Sequence, residues 1–259
     1  TWAPQLEAVG RIASSEERIA QYTRLLEHAL HDTPSASLPS LVRTYVDGAV
    51  LDPVNTTGAG LLVGRHMLAH LATQLAAAHI PANILCTIVS DTLATCEASS
   101  IMGDDELGPW RVLLAEQYAS LSRWRDAAQA LQSITPHAAR RIPQLSFAQL
   151  CVRVVELWLH DLPSHVAEAE QAIKRANSAI LDERDNKALV HELWSYHARV
   201  LAIQHRFMEA AARYMDLPHA DMYAAVYAII SPPSAQRTSM LTRLAQRASA
   251  WPFAQNYIT

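Results

Sequence analysis

Three groups of residues have the types and spacing that chemistry would need. Gly58-Ala59-Gly60, followed by Gly64, is the nearest approach to a phosphate-cradling loop, because glycines ahead of a helix let backbone N–H groups close on an anion. Asp52-Pro53-Val54-Asn55-Thr56-Thr57 before it is turn-like, and neither a preceding strand nor a βαβ alternation accompanies it, so a flexible loop leading into a helix is the expectation. His66 and His70 stand four apart on a predicted helix and share a face, as two metal ligands would. No Glu lies between them and no third ligand is evident, so ordinary polar or half-buried histidines are expected. Cys86, Cys96 and Cys151 are odd in number and form no CxxC pair, which disfavours a disulfide framework and a thiolate zinc site alike. They read as buried small hydrophobes of a reducing compartment. The run Asp104-Asp105-Glu106, between Gly103 and Gly108, reads as a solvated loop feeding a helix N-terminus, where negative charge is favourable. With no G-x-S-x-G and no Walker lysine, the expectation is no catalytic, cofactor-binding or metal-ligating residue and no enzymatic activity.

The elements around these residues follow from composition. A chain of 259 residues, 50% hydrophobic and 18% charged, is long and apolar enough to bury a core. Only 7 residues are Gly, whereas Ala, Leu, Arg, Glu and Gln recur throughout, which is an all-helical composition. A net charge of −4 removes the broad basic field that nucleic-acid binding needs. The uncharged stretch His66–Ser90 is interrupted by Gln74, Pro81 and Asn83, so it reads as two soluble helices and no membrane partner is expected. The chain opens at Thr1 with no cationic segment followed by an apolar one, so no signal peptide is visible and a trimmed chain is a natural reading.

All 13 prolines, Pro109 among them, fall where helical periodicity starts or stops. Between them helices are predicted near 15–31, 38–51, 59–78, 82–99, 107–121, 124–134, 143–160, 164–180, 186–204, 207–216, 219–230 and 234–248. Ser14 and Glu17 have capping-box spacing at the head of the first of these, whose apolar stripe runs through Ile19, Tyr22, Leu25, Leu26, Ala29 and Leu30. From residue 110 onward a bulky residue is followed nine positions later by a small one: Tyr118 by Ala127, Trp158 by Ala167, Leu201 by Ala210. In a helical hairpin the small residue lets the second helix approach the bulky one on the first, as in tetratricopeptide repeats. The units lie 40 and 43 residues apart, so the repeat is degenerate. Trp110, Trp124, Trp158 and Trp194 fall within or beside this pattern and are expected in the core, while Trp251 would cover an apolar face near the C-terminal end. The fold class is therefore all-α, a TPR-like helical-repeat solenoid forming a right-handed superhelix. Such a stack suits a scaffold better than an enclosed catalytic pocket.

Specific strings carry a resemblance as well. Tyr22-Thr23-Arg24-Leu25-Leu26-Glu27-His28-Ala29-Leu30, Leu61-Leu62-Val63-Gly64-Arg65-His66-Met67-Leu68, Trp124-Arg125-Asp126-Ala127-Ala128-Gln129-Ala130-Leu131, Ala198-Arg199-Val200-Leu201, Arg206 to Tyr214 and Gln236-Arg237-Thr238-Ser239-Met240-Leu241 resemble, in the same order, segments of the subunit 4 family of the COP9 signalosome. The Gly58–Gly64 loop and the segment Ile134–Arg141 depart from the family pattern. The resemblance implies residues 1–105 as an N-terminal helical arm and 106–259 as degenerate repeats leading into the helical part of a PCI domain, with the chain stopping before the winged helix. It implies a non-catalytic scaffold, cytoplasmic and nuclear, that needs no cofactor. Its partners would be the other signalosome subunits, including the metalloprotease-fold pair, and the neddylated cullin–RING ligase whose docking it relays to the metalloprotease subunit. The paralogous PCI subunit of the 26S proteasome lid is the alternative within the same class, and a helical metal-binding enzyme using His66 and His70 is the alternative from another.

Overall fold

The computed structural model describes residues 2–140, 142, 146–181 and 186–248; Trp251 and the rest of the C-terminal end lie outside the described residues. Among these residues every regular element is helical and none is a strand. The α-helices are α1 (Ala3–Gly10), α2 (Ser15–Asp32), α3 (Leu38–Tyr45), α4 (Pro53–Thr56), α5 (Leu61–Ala77), α6 (Ala82–Ser99), α7 (Asp104–Ser120), α8 (Trp124–Gln132), α9 (Pro136–Ala139), α10 (Phe147–Leu159), α11 (Val166–Leu181), α12 (Lys187–Ile203), α13 (Phe207–Met215), α14 (Asp221–Ile230) and α15 (Ala235–Ala248). The arrangement is that of a helical-repeat protein. It falls into two compact units, Thr1–Leu150 and Cys151–Thr259.

Helix starts are set by small polar side chains that satisfy otherwise unpaired N–H groups. The Ser14 hydroxyl accepts from Glu17 N at 3.4 Å, Thr135 from Ala138 N at 3.2 Å, and Asn186 from Leu189 N at 3.2 Å. Ser146 and Gln149 cap α10 reciprocally, which places its start at Phe147 and not near residue 143. Two more boundaries differ from expectation. The helix α7 begins at Asp104, three residues before the predicted 107, so the acidic run forms its first turn. Pro109 then lies inside α7 and does not mark its edge. Gly108 makes this tolerable, because the residue before a proline is driven from the α region chiefly through its Cβ, which Gly108 lacks. The short helix α1 has only Leu6 and Val9 as inward apolar anchors, too few for a periodic signal.

In the first unit the packing is interwoven: α2 lies on α5, α3 on α6, and α5 and α6 both on α7. Tyr22, Leu26, Met67, Leu68, Leu71, Leu75 and Trp110 form its fully buried centre, where Trp110 Nε1 donates to Leu68 O at 3.3 Å. Beyond Tyr45 the predicted 38–51 helix widens into a π turn over Val46–Val50. Widening frees carbonyls for side-chain donors: Asn55 Nδ2 donates to Ala49 O at 2.9 Å and Tyr22 OH to Gly48 O at 3.4 Å. Asn55 also accepts from Arg18 Nη1 at 2.8 Å and donates to Tyr22 OH at 3.3 Å. Arg18 and Asn55 are both buried, so a charged group is held in the interior by this amide, with the Ser15 hydroxyl accepting from its other nitrogen, Nη2, at 3.3 Å.

In the second unit packing is sequential: α11 on α12, α12 on α13, α13 on α14 and α14 on α15. Trp158 is buried, whereas Trp124, the first residue of α8, and Trp194, both expected in the core, are half-buried.

Removing the Asn55 amide leaves the Arg18 guanidinium without its buried acceptor. Asn55→Ala is therefore expected to lower unfolding free energy by about 2–4 kcal/mol in a urea titration followed by circular dichroism. A loss under about 0.5 kcal/mol, typical of surface changes, would show that water replaces the amide.

Candidate functional site

The glycine cluster serves backbone contact. A Cβ on Gly60 would stand 1.9 Å from Val54 O, and one on Gly64 would stand 2.8 Å from Val50 O and 2.9 Å from Asn55 O. These glycines let the start of α5 press against the turn that carries Asn55, and carbonyls rather than amides face them. Carbonyl oxygens repel phosphate. Gly58 alone needs its conformational freedom, with φ at +54°.

His66 is exposed on α5, while His70 is half-buried with Nε2 at 3.4 Å from Gln74 Nε2. Among the described residues no three His, Cys, Asp or Glu side chains converge as a metal would require. All three cysteines are free and buried, with Cys86 and Cys96 on the same helix, α6. Burial pushes the thiols of Cys96 and Cys151 up to about 11 and raises that of Cys86, so they stay protonated and poorly nucleophilic at neutral pH.

The acidic run is engaged within the chain. Asp104 pairs with Arg111 at 3.1 Å, Asp105 with His137 at 2.7 Å, and Glu106 lies 3.2 Å from Arg65 and accepts from Gly103 N at 3.0 Å. Arg111, largely shielded from solvent, also reaches Glu97 of α6 at 3.1 Å and Ser133 O at 3.3 Å. The run thus fastens α7 to α5, α6 and α9, where the expectation was a solvated loop. Sequence spacing gives no sign of this, because Arg65 and His137 lie far along the chain and Arg111 stands seven residues from Asp104.

The repeat positions recur in three dimensions for two of the three units. Ala127 on α8 and Ala210 on α13 are fully buried. The two turns ahead of them match: Ser122 and His205 are left-handed, at φ 57° and 60°, and Arg123 N and Arg206 N donate back to Tyr118 O and Leu201 O at 2.8 and 2.9 Å. Each arginine then bonds the acid three residues on, Arg123 Nε to Asp126 Oδ2 and Arg206 Nε to Glu209 Oε1, both at 2.7 Å. The Arg123 guanidinium also lies 4.4 Å from the centre of the Tyr118 ring. This Arg-x-x-acid pair escaped the sequence reading, although Arg123, Asp126, Arg206 and Glu209 sit at equal distances from the two alanines. The middle unit is a correction. Ala167 is exposed, and Ala169, Ala172, Ala176 and Ala179 are the buried alanines of α11. The longer turn between Leu159 and Val166 displaces the small residue from its expected position.

The surface least explained by the chain's own packing lies on α14. Ala224 and Ala228 bury one side, while Met222, Tyr223, Val226, Ile229 and Ile230 are 68%, 59%, 49%, 56% and 52% exposed on the opposite side. The helix is held in place on both flanks. Tyr227 stacks between Tyr214 and Phe207 of α13 at 5.5 and 6.2 Å, and Tyr223 stacks on Tyr214 at 5.4 Å. From the other flank Arg247 of α15 pairs with Asp221 at 3.1 Å and donates to Met215 O at 3.1 Å. The exposed side of α14 is thus lined by large apolar side chains.

Half-buried His197 of α12 has its pKa lowered first by burial, then by the charges of Arg213 and Arg206, against the opposing pull of Glu170 and Glu209.

No protein-family model matches the chain. The chain is similar to the COP9 signalosome complex subunit 4 of Caenorhabditis elegans, at 28% identity over 260 residues, which is 90% of this chain and 63% of that protein. It is also similar to the subunits of the same name from Arabidopsis thaliana, at 25% over 78% of this chain, and Drosophila melanogaster, at 25% over 79%. It spans 48% of the length of each of those two relatives.

Two predictions follow from the geometry. Gly60→Ala is expected to cost about 1–3 kcal/mol or more, read as a lowered melting temperature, because the backbone must move from a carbonyl; an unchanged melting temperature refutes the close approach. A histidine whose folded pKa is depressed binds fewer protons folded than unfolded, so its stabilisation is full above about pH 6.5 and is lost as pH falls below it. His197→Gln is expected to flatten that part of the stability–pH curve, and an unaltered curve would remove His197 from the account.

Proposed function

We propose that this chain is the helical-repeat part of a COP9 signalosome subunit of the subunit 4 type. One observation carries the reading: the similarity to subunits of that name extends over as much as 90% of the chain. Two of the resembling strings also coincide with the hairpin elements that begin at Trp124 and Phe207, so the likeness falls on residues that shape the repeat. On this reading residues 1–105 act as an arm and residues 106–259 as repeats leading into the helical part of a PCI domain.

The role is that of a non-catalytic scaffold in the cytoplasm and nucleus. The buried, protonated thiols and the internally paired acids fit a protein that acts by contact. Among the described residues no helix is long and apolar enough to cross a membrane. The arm would help receive a neddylated cullin–RING ligase and relay its arrival to the metalloprotease subunit. Such a relay requires the substrate to favour one arrangement of the subunits over another, because equal affinity for both shifts nothing.

The test is affinity purification of the tagged full-length product of the native locus, followed by mass spectrometry. Recovery of a metalloprotease subunit together with cullins is the expected outcome. Recovery of proteasomal ATPases would move the chain to the proteasome lid, and recovery of neither would overturn the scaffold reading.

A further inference from the structure

The cationic side chains are divided unevenly between the two units. Of the 21 basic residues only Lys174 and Lys187 are lysines, so residues 1–150 carry arginines alone. Arginine and lysine bear the same charge and have nearly equal helix propensity, so an exposed helical position does not by itself choose between them. Packing explains part of the choice. Arg18, Arg111 and Arg123 bond through more than one guanidinium nitrogen, or lie over a ring, as an ammonium does not. Arg11, Arg24, Arg43 and Arg125 are different. Each is exposed, and among the described residues none has a hydrogen bond or ion pair through its side chain. No contact requires these four to be arginine.

What separates the two side chains at such positions is reactivity. A lysine ε-amine that loses its proton attacks acyl groups, whereas the arginine guanidinium stays protonated and does not. In ubiquitin transfer the amine attacks the thioester that joins the ubiquitin C-terminus to a cysteine of a conjugating enzyme. An isopeptide C–N bond forms, the C–S bond breaks, the enzyme's thiolate leaves, and the amine gives its proton to solvent. Residues 1–150 hold no ε-amine for this reaction, and the cysteines are buried. In the second unit Lys174, on α11, and Lys187, the first residue of α12, are both exposed, and among the described residues neither ammonium is paired with an acid. We propose that residues 1–150 present a surface kept free of ubiquitin acceptors, and that Lys174 and Lys187 are the residues at which this chain takes ubiquitin. The inference rests on the signalosome reading, in which residues 1–105 receive a ubiquitin ligase. A surface that sits beside a ligase and carries no ε-amine is not used up as its substrate.

The experiment incubates the whole chain with a neddylated cullin–RING ligase, ubiquitin, its activating and conjugating enzymes and ATP. The diglycine remnant left on each acceptor after trypsin is mapped by mass spectrometry, and a pull-down with the same ligase is run beside it. Conjugates are expected on Lys174 and Lys187 alone. Lys174→Arg combined with Lys187→Arg is expected to lower conjugation at least about tenfold. Added to that lysine-free chain, Arg24→Lys or Arg43→Lys keeps the charge at an exposed position and should restore conjugation at the new residue, with the melting temperature unchanged. Three results overturn the proposal while the pull-down shows the ligase bound: a wild-type chain that takes no ubiquitin, a lysine-free chain conjugated as strongly as wild type, or added lysines that stay unmodified. The last would assign the arginines to the base composition of the gene. A ligase that fails to bind in the pull-down overturns the signalosome reading itself, and this inference with it.

Discussion

The close approach of paired helices at buried alanines is the constraint on which the rest of this structure depends. Ala127, Ala169, Ala176, Ala210, Ala224 and Ala228 are fully buried on α8, α11, α13 and α14. A larger side chain at any of them would push two backbones apart, and in a sequential stack that displacement would pass to the next helix. The turns cooperate with the alanines. Left-handed Ser122 and His205 reverse the chain in a single residue, and the arginine that follows each one bonds an acid in the first turn of the next helix. The result is a hairpin whose crossing point and turn are set by the same ten or so residues.

The two units use this constraint differently. In Cys151–Thr259 helices pack on their sequence neighbours, so stability is built from successive local interfaces. In Thr1–Leu150 helices far apart in sequence pack together, and a polar node at their meeting point replaces part of the apolar core. Arg18, Tyr22 and Asn55 join α2 to the turn before α5 through hydrogen bonds that only one arrangement satisfies. Polar groups buried in this way favour a single register, because every alternative strands a charge or an amide in the interior.

Function follows from where such an architecture leaves its chemistry. Several of its titratable groups tie the helices and turns together: the acids of α7 pair with Arg65, Arg111 and His137, and the acids at the hairpin turns with Arg123 and Arg206. Its thiols are buried and protonated. Among the described residues the largest run of exposed apolar side chains on one helix lies on α14. The chain's similarity to signalosome subunits of the subunit 4 name extends across these same helices.

Local pattern alone determined the helical class, most helix positions and two of the three hairpin crossings. Those features depend on residues within one or two turns of each other: Ser14 with Glu17, Tyr118 with Ala127, Leu201 with Ala210. The middle crossing failed because its turn is longer, and turn length shifts the register without any change in the alanine pattern of α11. The π turn, the internal use of Asp104, Asp105 and Glu106, and the role of Gly60 and Gly64 were decided only by tertiary structure. In each of these the partner stands outside the i, i+3 and i, i+4 intervals that a helical pattern reads: Ala49 O for Asn55, Val54 O for Gly60, Arg111 for Asp104 and His137 for Asp105. The open face of α14 belongs to the same class. Its apolar residues surround the helix almost completely, and only packing chose which side Ala224 and Ala228 would bury and which side would remain exposed.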